Sequence, residues 1–414
     1  MNEELKNLVK SKAAAYKAEV IAIRRHLHQH PELSFQEFET ADFVEQKLKE
    51  YGVSEIQRMC KTGVVALVKG VNPTKKIVAL RADLDALPIV EENEVVYKSK
   101  NNGIMHACGH DVHTSSLLGV TKILNEIKER FEGTVKLIFQ PGEEKLPGGA
   151  SLMIAEGVLE HPTPNTIIGQ HVFPELEAGK VGFKSGMYMA STDELYLTVK
   201  GKGGHAALPH KYNNPLLIAS QILIDLHREF MVSAPSYSTL EQDNKPRIPT
   251  VIAFGKITGN GATNIIPDEV KMEGTFRTMD EKWRGEAHAE MKKIADTVAE
   301  SMGGSCEFRI EKGYPFLVND EQLTNKMKSG AIEFLGKENV VDLELRMTAE
   351  DFAYYSQVKP ACFYRLGINN KSKNIVSGLH TSTFDVDENA LETSIGLMTW
   401  LTLLELNSPV NPKL

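Results

Sequence analysis

The sequence predicts an α/β fold: a central mixed or parallel sheet flanked by helices, interrupted by an inserted ferredoxin-like α+β domain. Three observations predict it. Short β-rich runs alternate with helical patterns as far as Lys184, a β-α-β-β-α-β order occupies Asp193 to Tyr314, and helix and strand patterns resume after Pro315. A length of 414 residues leaves room for this division, which falls at 1–186, 187–314 and 315–414, the first and third segments forming one domain around the second.

Two amphipathic helices come first, Lys17 to Leu27 and Gln36 to Tyr51, with apolar residues recurring at three and four and His30-Pro31 between them. Strand runs follow at Gly63 to Val68, Lys76 to Arg81, Thr134 to Gln140, Thr166 to Val172 and Lys180 to Lys184, with a helical pattern from Ser115 to Phe131. In such an alternation ligands collect beyond the carboxyl ends of the strands. The insert reads as strand Glu194 to Val199, helix Pro215 to Phe230, strands Thr250 to Ile257 and Glu269 to Arg277, helix Glu281 to Met302 and strand Ser305 to Ile310. Lys184-Ser185-Gly186 and Lys312-Gly313-Tyr314-Pro315 frame it. An apolar strand from Ala361 to Gly367 and a helix from Glu388 to Leu406 close the chain.

Apolar residues make up 42% and charged residues 25%, the balance of a globular protein. The net charge of −8 gives no electrostatic reason to expect nucleic acid or an anionic membrane as partner, and small molecules become the expected ligands. No apolar run approaches the ~20 residues of a membrane span, and the mixed charges of the first residues do not read as a signal peptide, so the expected location is the cytoplasm. The four cysteines are scattered without a CxxC pair, which leaves no disulfide framework to infer.

The densest chemical signal is the run His106-Ala107-Cys108-Gly109-His110-Asp111-Val112-His113. In an extended segment Cys108 and His110 share one side, and Gly109 permits close backbone approach. A thiolate with an imidazole suits zinc, with cobalt, nickel and manganese as substitutes. Pro141-Gly142-Glu143-Glu144 then puts two carboxylates just past a strand, where one can ligate a metal while its neighbour serves as general base. His171 ends an apolar run, and His380 lies in Gly378-Leu379-His380-Thr381. A lone histidine is more often a core or surface residue than a ligand. Together, Cys108, His110, Glu144, His171 and His380 make a five-donor set, one more than a closed zinc site needs, which suggests two metals bridged by a thiolate or hydroxide.

These residues resemble the M20 metallopeptidases, specifically the amidohydrolase branch with its aminoacylase-like, hippurate-hydrolase-like and auxin-conjugate hydrolase-like enzymes. The resemblance runs from Arg25-His26-Leu27-His28-Gln29-His30-Pro31-Glu32 through Arg81-Ala82-Asp83-Leu84-Asp85-Ala86-Leu87, the His106 to His113 cluster, Gln140 to Glu144 and Gly203-Gly204-His205-Ala206-Ala207 to Thr263-Asn264-Ile265-Ile266-Pro267, Glu350-Asp351-Phe352 and Gly378 to Thr381. It implies a dinuclear metal hydrolase whose inserted domain is a lid that also mediates homodimerisation. It further implies that Cys108 bridges two divalent ions (zinc, manganese, cobalt or nickel), that His110, Glu144, His171 and His380 complete the ligands, and that Glu143 is the general base. His205 would stabilise the oxyanion in the partner subunit's site, and Asn264 and Arg277 would hold the substrate's oxygen or carboxylate.

Much of the wider superfamily has His-x-Asp where this chain has Arg81-Ala82-Asp83, so no histidine is available there for metal; the amidohydrolase branch shares that loss. Asp83 and Asp85 are then expected to orient ligands, as are His106 and His113, while His26, His28 and His30 read as structural. The implied reaction is hydrolysis of the amide of an N-acetyl or N-aroyl amino acid. A dipeptidase of the same family is the nearest alternative. A metal-dependent binding or thiol-sensing protein is a further one, disfavoured because a binding site has no use for Glu143 beside Glu144.

Overall fold

The computed structural model describes residues 3–233 and 248–409. In chain order the elements are helices α1 (Glu3–Gln29) and α2 (Phe38–Glu50), strands β1 (Glu55–Met59), β2 (Gly63–Lys69) and β3 (Ile77–Asp83), helix α3 (His110–Glu126), strand β4 (Thr134–Gln140), helix α4 (Gly149–Ala155), and strands β5 (Thr166–Glu177) and β6 (Val181–Phe183). Next come β7 (Gly186–Met189), β8 (Asp193–Lys200), the short β9 (Gly204–His205), α5 (Pro215–His227), β10 (Thr250–Thr258), the short β11 (Ile265–Ile266), β12 (Glu269–Thr278), α6 (Glu281–Ser301) and β13 (Ser305–Lys312). The chain closes with β14 (Leu317–Asn319), α7 (Glu321–Leu335), β15 (Val340–Asp342), α8 (Ala353–Val358), β16 (Ala361–Asn369) and α9 (Ala390–Leu406).

The backbone divides into two compact units, one of Met1–Gly186, Val318–Glu344 and Asp351–Leu414, the other of Met187–Leu317 and Leu345–Glu350. The larger unit is built on an eight-stranded mixed sheet of order β1-β2-β4-β3-β5-β16-β6-β15. Its middle strands β4, β3, β5 and β16 run parallel. They are buried almost throughout, which is why they read as continuous apolar runs without alternation. Helices α1, α2, α3, α7 and α9 share one apolar core with this sheet. Helix α9 is nearly all buried and apolar on every side, as an interior helix must be.

In the smaller unit β8-α5-β10-β12-α6-β13 forms a four-stranded antiparallel sheet of order β10-β12-β8-β13. Burial alternates along β8 and β12, so one face of the sheet packs against α5 and α6 through Leu195, Leu197, Ile218, Ile222 and Ala295. No helix among the described residues is long and apolar enough to cross a membrane.

Two boundaries depart from the periodicity in ways that matter. Helix α1 begins well before Lys17, because Val9 and Ala13 continue the buried stripe of Val20, Ile23 and Leu27. Helix α3 begins at His110 and not at Ser115, with Gly109 as its N-cap at φ 82°. The segment around Cys108 is therefore a loop running into a helix N-terminus, not a segment that stays extended through His110. Its polar first turn, His-Asp-Val-His-Thr-Ser, hides the helical period from the sequence.

Candidate metal centre

Four separate segments of the larger unit converge at the carboxyl ends of the parallel strands. Cys108 lies in the loop before α3 and His110 opens that helix; Glu143 and Glu144 follow β4; His171 is on β5; His380 comes from the loop between β16 and α9. The His380 loop is tied to the Cys108 loop by its own backbone, since His380 N–H donates to the Ala107 carbonyl (2.8 Å). His380 adopts a φ of 59°, a strained value for a non-glycine residue of the kind functional sites retain.

The donor atoms face one another. Cys108 Sγ is 3.5 Å from His171 Nε2 and 3.3 Å from His380 Nε2, and His380 Nε2 is 3.2 Å from Glu144 Oε1. Tetrahedral donors held about 2.0–2.3 Å from one ion stand roughly 3.3–3.8 Å apart, so these separations suit a shared cation. Cys108, His110 and His171 form one cluster with donor atoms within 4.8 Å of one another, and Cys108, Glu144 and His380 form a second. The thiol belongs to both. Among the described residues, buried His110 Nε2 and Glu144 Oε1 make no hydrogen bond, which a bound cation would offset.

His110 and His171 each have their other nitrogen engaged in a way that frees Nε2. His110 Nδ1–H donates to the Asp85 carbonyl (2.8 Å) and His171 Nδ1–H to the Val172 carbonyl (2.8 Å). Val172 N–H in turn donates to His113 Nε2 (2.9 Å), which leaves the proton of His113 on Nδ1 and directed at Asp83 Oδ1 (2.6 Å). Arg81 Nη1 donates to the other Asp83 oxygen (2.6 Å). Such outer contacts fix tautomer and orientation in metal sites.

The electrostatics favour a cation. Burial, then Glu144, Glu143 and Asp83, push the Cys108 thiol well above its ordinary range, so it needs a neighbouring positive charge to become a thiolate. Burial, with Arg365 and His113 adding to it, keeps His171 neutral, the form that ligates. For His110, burial opposes the charged form, but Asp83, Asp85 and Glu144 overcome it and raise the group to about 10. A site negative enough to hold a proton there is negative enough to attract a divalent ion in its place.

Glu143 and Glu144 diverge less than their adjacency suggests, since both carboxylates approach His110 Nε2, at 4.0 and 3.9 Å. Their partners separate them. Glu144 faces His380, whereas Glu143 Oε1 accepts from Asp351 N–H (3.4 Å). Asp351 is itself held by Arg81 Nη2 (2.7 Å) and Gln140 Nε2 (2.8 Å), and Asp85 accepts the backbone N–H groups of both glutamates. Spacing does not single out Glu37, Gln140 or Arg81; each carries a polar group in a stretch otherwise read as helix or strand.

Residues 79–402 match the model of peptidase family M20/M25/M40. The chain belongs to this family. It is 40% identical to an N-acyl-L-amino acid amidohydrolase of Geobacillus stearothermophilus over 77% of this chain and 82% of that one. It is 37% identical to an N-acetyl-L-cysteine deacetylase of Bacillus subtilis, covering 90% of this chain and 85% of that one. A solved structure from Bacillus subtilis, described as a dinuclear metal binding peptidase of the M20 family, superposes with a TM-score of 0.80 at 33% identity, over 95% of this chain and 99% of that one. As an M20 family member the chain is a hydrolase.

The remaining M20-derived expectations concern the smaller unit. His205 is exposed on β9, which pairs with β11 so that His205 lies opposite Ile265, and Ala206 N–H donates to the Asn264 carbonyl (3.0 Å). His205 and Asn264 are thus neighbours. Arg277, half-buried on β12, donates to the Met347 carbonyl (3.2 Å), and burial alone lowers its pKa. These three lie in a different unit from the five donors and Glu143.

Proposed function

We propose that this chain hydrolyses the amide bond of N-acyl amino acids, acetyl or aroyl, to a carboxylic acid and a free amino acid, using two divalent ions held by Cys108, His110, Glu144, His171 and His380. The observation that carries the reading is the pair of three-donor clusters sharing the Cys108 thiol, with Glu143 beside them but turned to Asp351 N–H. The likeness to proteins named for N-acyl amino acid and N-acetylcysteine hydrolysis supports the substrate class.

When bound, the two ions supply Lewis acidity to the amide carbonyl and lower the pKa of a nearby water. Glu143 accepts the proton of the attacking water and delivers it to the departing amine nitrogen. Asp85 keeps its carboxylate on that line by accepting the Glu143 backbone N–H, and the Asp351 N–H by donating to the carboxylate itself. His205 of a second subunit donates to the oxyanion, and Asn264 and Arg277 hold the substrate's oxygen and carboxylate. Supporting a homodimer, β10 is an edge strand of its sheet, and the smaller unit exposes Leu217, Ile224 and Ile257.

A panel of acetyl-, benzoyl- and dipeptide substrates, assayed on chelated and reconstituted protein with metal analysis, tests this. Chelation should abolish cleavage, two equivalents of zinc, manganese, cobalt or nickel should restore it, and acyl amino acids should be cleaved faster than dipeptides. A faster dipeptide would assign the chain to the peptidase reading, which the likeness to the Bacillus subtilis peptidase supports.

A further inference from the structure

Three consecutive backbone N–H groups carry the two glutamates, and each is held by a buried carboxylate. Glu143 and Glu144 donate to Asp85 Oδ1 (3.0 Å) and Oδ2 (2.9 Å), and Gly142 donates to Glu37 Oε1 (2.8 Å). Glu37 lies between α1 and α2, fully buried. Its Oε1 also accepts from Phe35 N–H (2.8 Å), its Oε2 accepts from the Thr62 hydroxyl (2.7 Å), and no cation is paired with it among the described residues. Burying a carboxylate without a counter-ion is expensive. The surrounding turn is built to the same end: Phe35 takes a φ of 64°, Gly142 a φ of 59°, and a Cβ on Gly142 would stand 2.3 Å from the Phe35 ring.

We infer that Glu37 is a positioning residue for the hydrolysis, fixing through the Gly142 N–H the turn that aims Glu143 and Glu144. This rests on the roles proposed above for those two glutamates. The geometry separates an acceptor role from a charge role, because both backbone donors use the same oxygen. Glutamine can keep that oxygen in place while its NH2 donates to the Thr62 hydroxyl, whereas aspartate keeps the charge and withdraws the acceptor by one methylene.

The test compares Glu37→Gln, Glu37→Asp and Glu37→Met, reading kcat, KM, the visible spectrum of the cobalt-loaded protein and the melting midpoint. Glu37→Gln should stay within about threefold of the parent in kcat and KM with an unchanged cobalt spectrum. Glu37→Asp should lose roughly tenfold to a hundredfold in kcat at nearly constant KM, with a shifted cobalt spectrum as Glu144 moves. Glu37→Met fills the space without an acceptor and carries the same expectation, so a folding failure in either variant leaves the other to decide. The reverse order, with aspartate active and glutamine not, overturns the inference, as do variants that all match the parent or all fall alike. If the parent protein cleaves no amide the functional reading fails, and the cobalt spectra still decide whether Glu37 positions the turn.

Discussion

Gly109 sits between two donors at φ 82°, and a Cβ there would stand 2.5 Å from Val172 Cγ2. Both facts forbid a side chain, so Gly109→Ala should destabilise the protein by about 1–3 kcal/mol and lower its metal content; equal urea midpoints and equal metal in the two proteins would refute the argument. Glu143 is the second residue whose place makes a sharp claim. Glu143→Gln should bind metal normally and lose at least about a hundredfold in kcat, measured on the reconstituted protein. Retention of near-normal turnover would remove Glu143 from the base's role. At this scale the sequence was most informative where candidate site residues are close in the chain: Cys108 with His110, and Glu143 with Glu144, announce themselves by proximity. Glu37 does not, because its meaning lies in a hydrogen bond to Gly142 that nothing in its neighbours encodes.

At the scale of elements, the centre depends on where α3 begins. An extended segment would aim Cys108 and His110 to one side by simple alternation; the loop-to-helix turn achieves the convergence through the left-handed Gly109 instead. Strand β5 contributes His171, whose ring is set by the Val172 carbonyl, while Val172 N–H is anchored to His113 in α3. In the smaller unit α6 is anchored to β8 by a buried pair: Arg284 donates to both oxygens of Asp193 and His288 adds a third contact (2.7 Å). Arg284→Met leaves that carboxylate buried with only the His288 imidazole and the Gly313 N–H (3.2 Å) as partners among the described residues, and should cost about 3–5 kcal/mol by denaturant titration. For Asp193, burial opposes ionisation, but His288 and Arg284 outweigh it and hold the carboxyl below the ordinary aspartate range. The pair's contribution is therefore complete above the unfolded-state value and lost as the pH falls through the folded one, so the variant's deficit should shrink in acid; a deficit that does not change on acidification would contradict it.

For the whole molecule the testable claim is that one site draws on two chains. His205→Ala should lower kcat by roughly 10² to 10³. Dissociated and reassembled with Glu143→Gln protein, it should recover up to about a quarter of the parental sites, since random mixed dimers contain one site with both groups intact. Absence of any recovery after verified exchange would remove the partner's His205 from the reaction. Much of the architecture was legible from period alone: the parallel strands as unbroken apolar runs, the smaller unit's β-α-β-β-α-β order, and the strand-end position of Glu143 and Glu144. The sequence by itself determined the donor types and their local pairs, because ligand chemistry resides in side-chain identity and short spacing. Tertiary structure alone decided that His171 and His380 reach the same thiol, and that Glu37, Asp85, His113 and Asp351 hold the groups in place. Those contacts join segments remote in the chain, and a hydrogen bond between distant segments leaves no periodicity behind to be read.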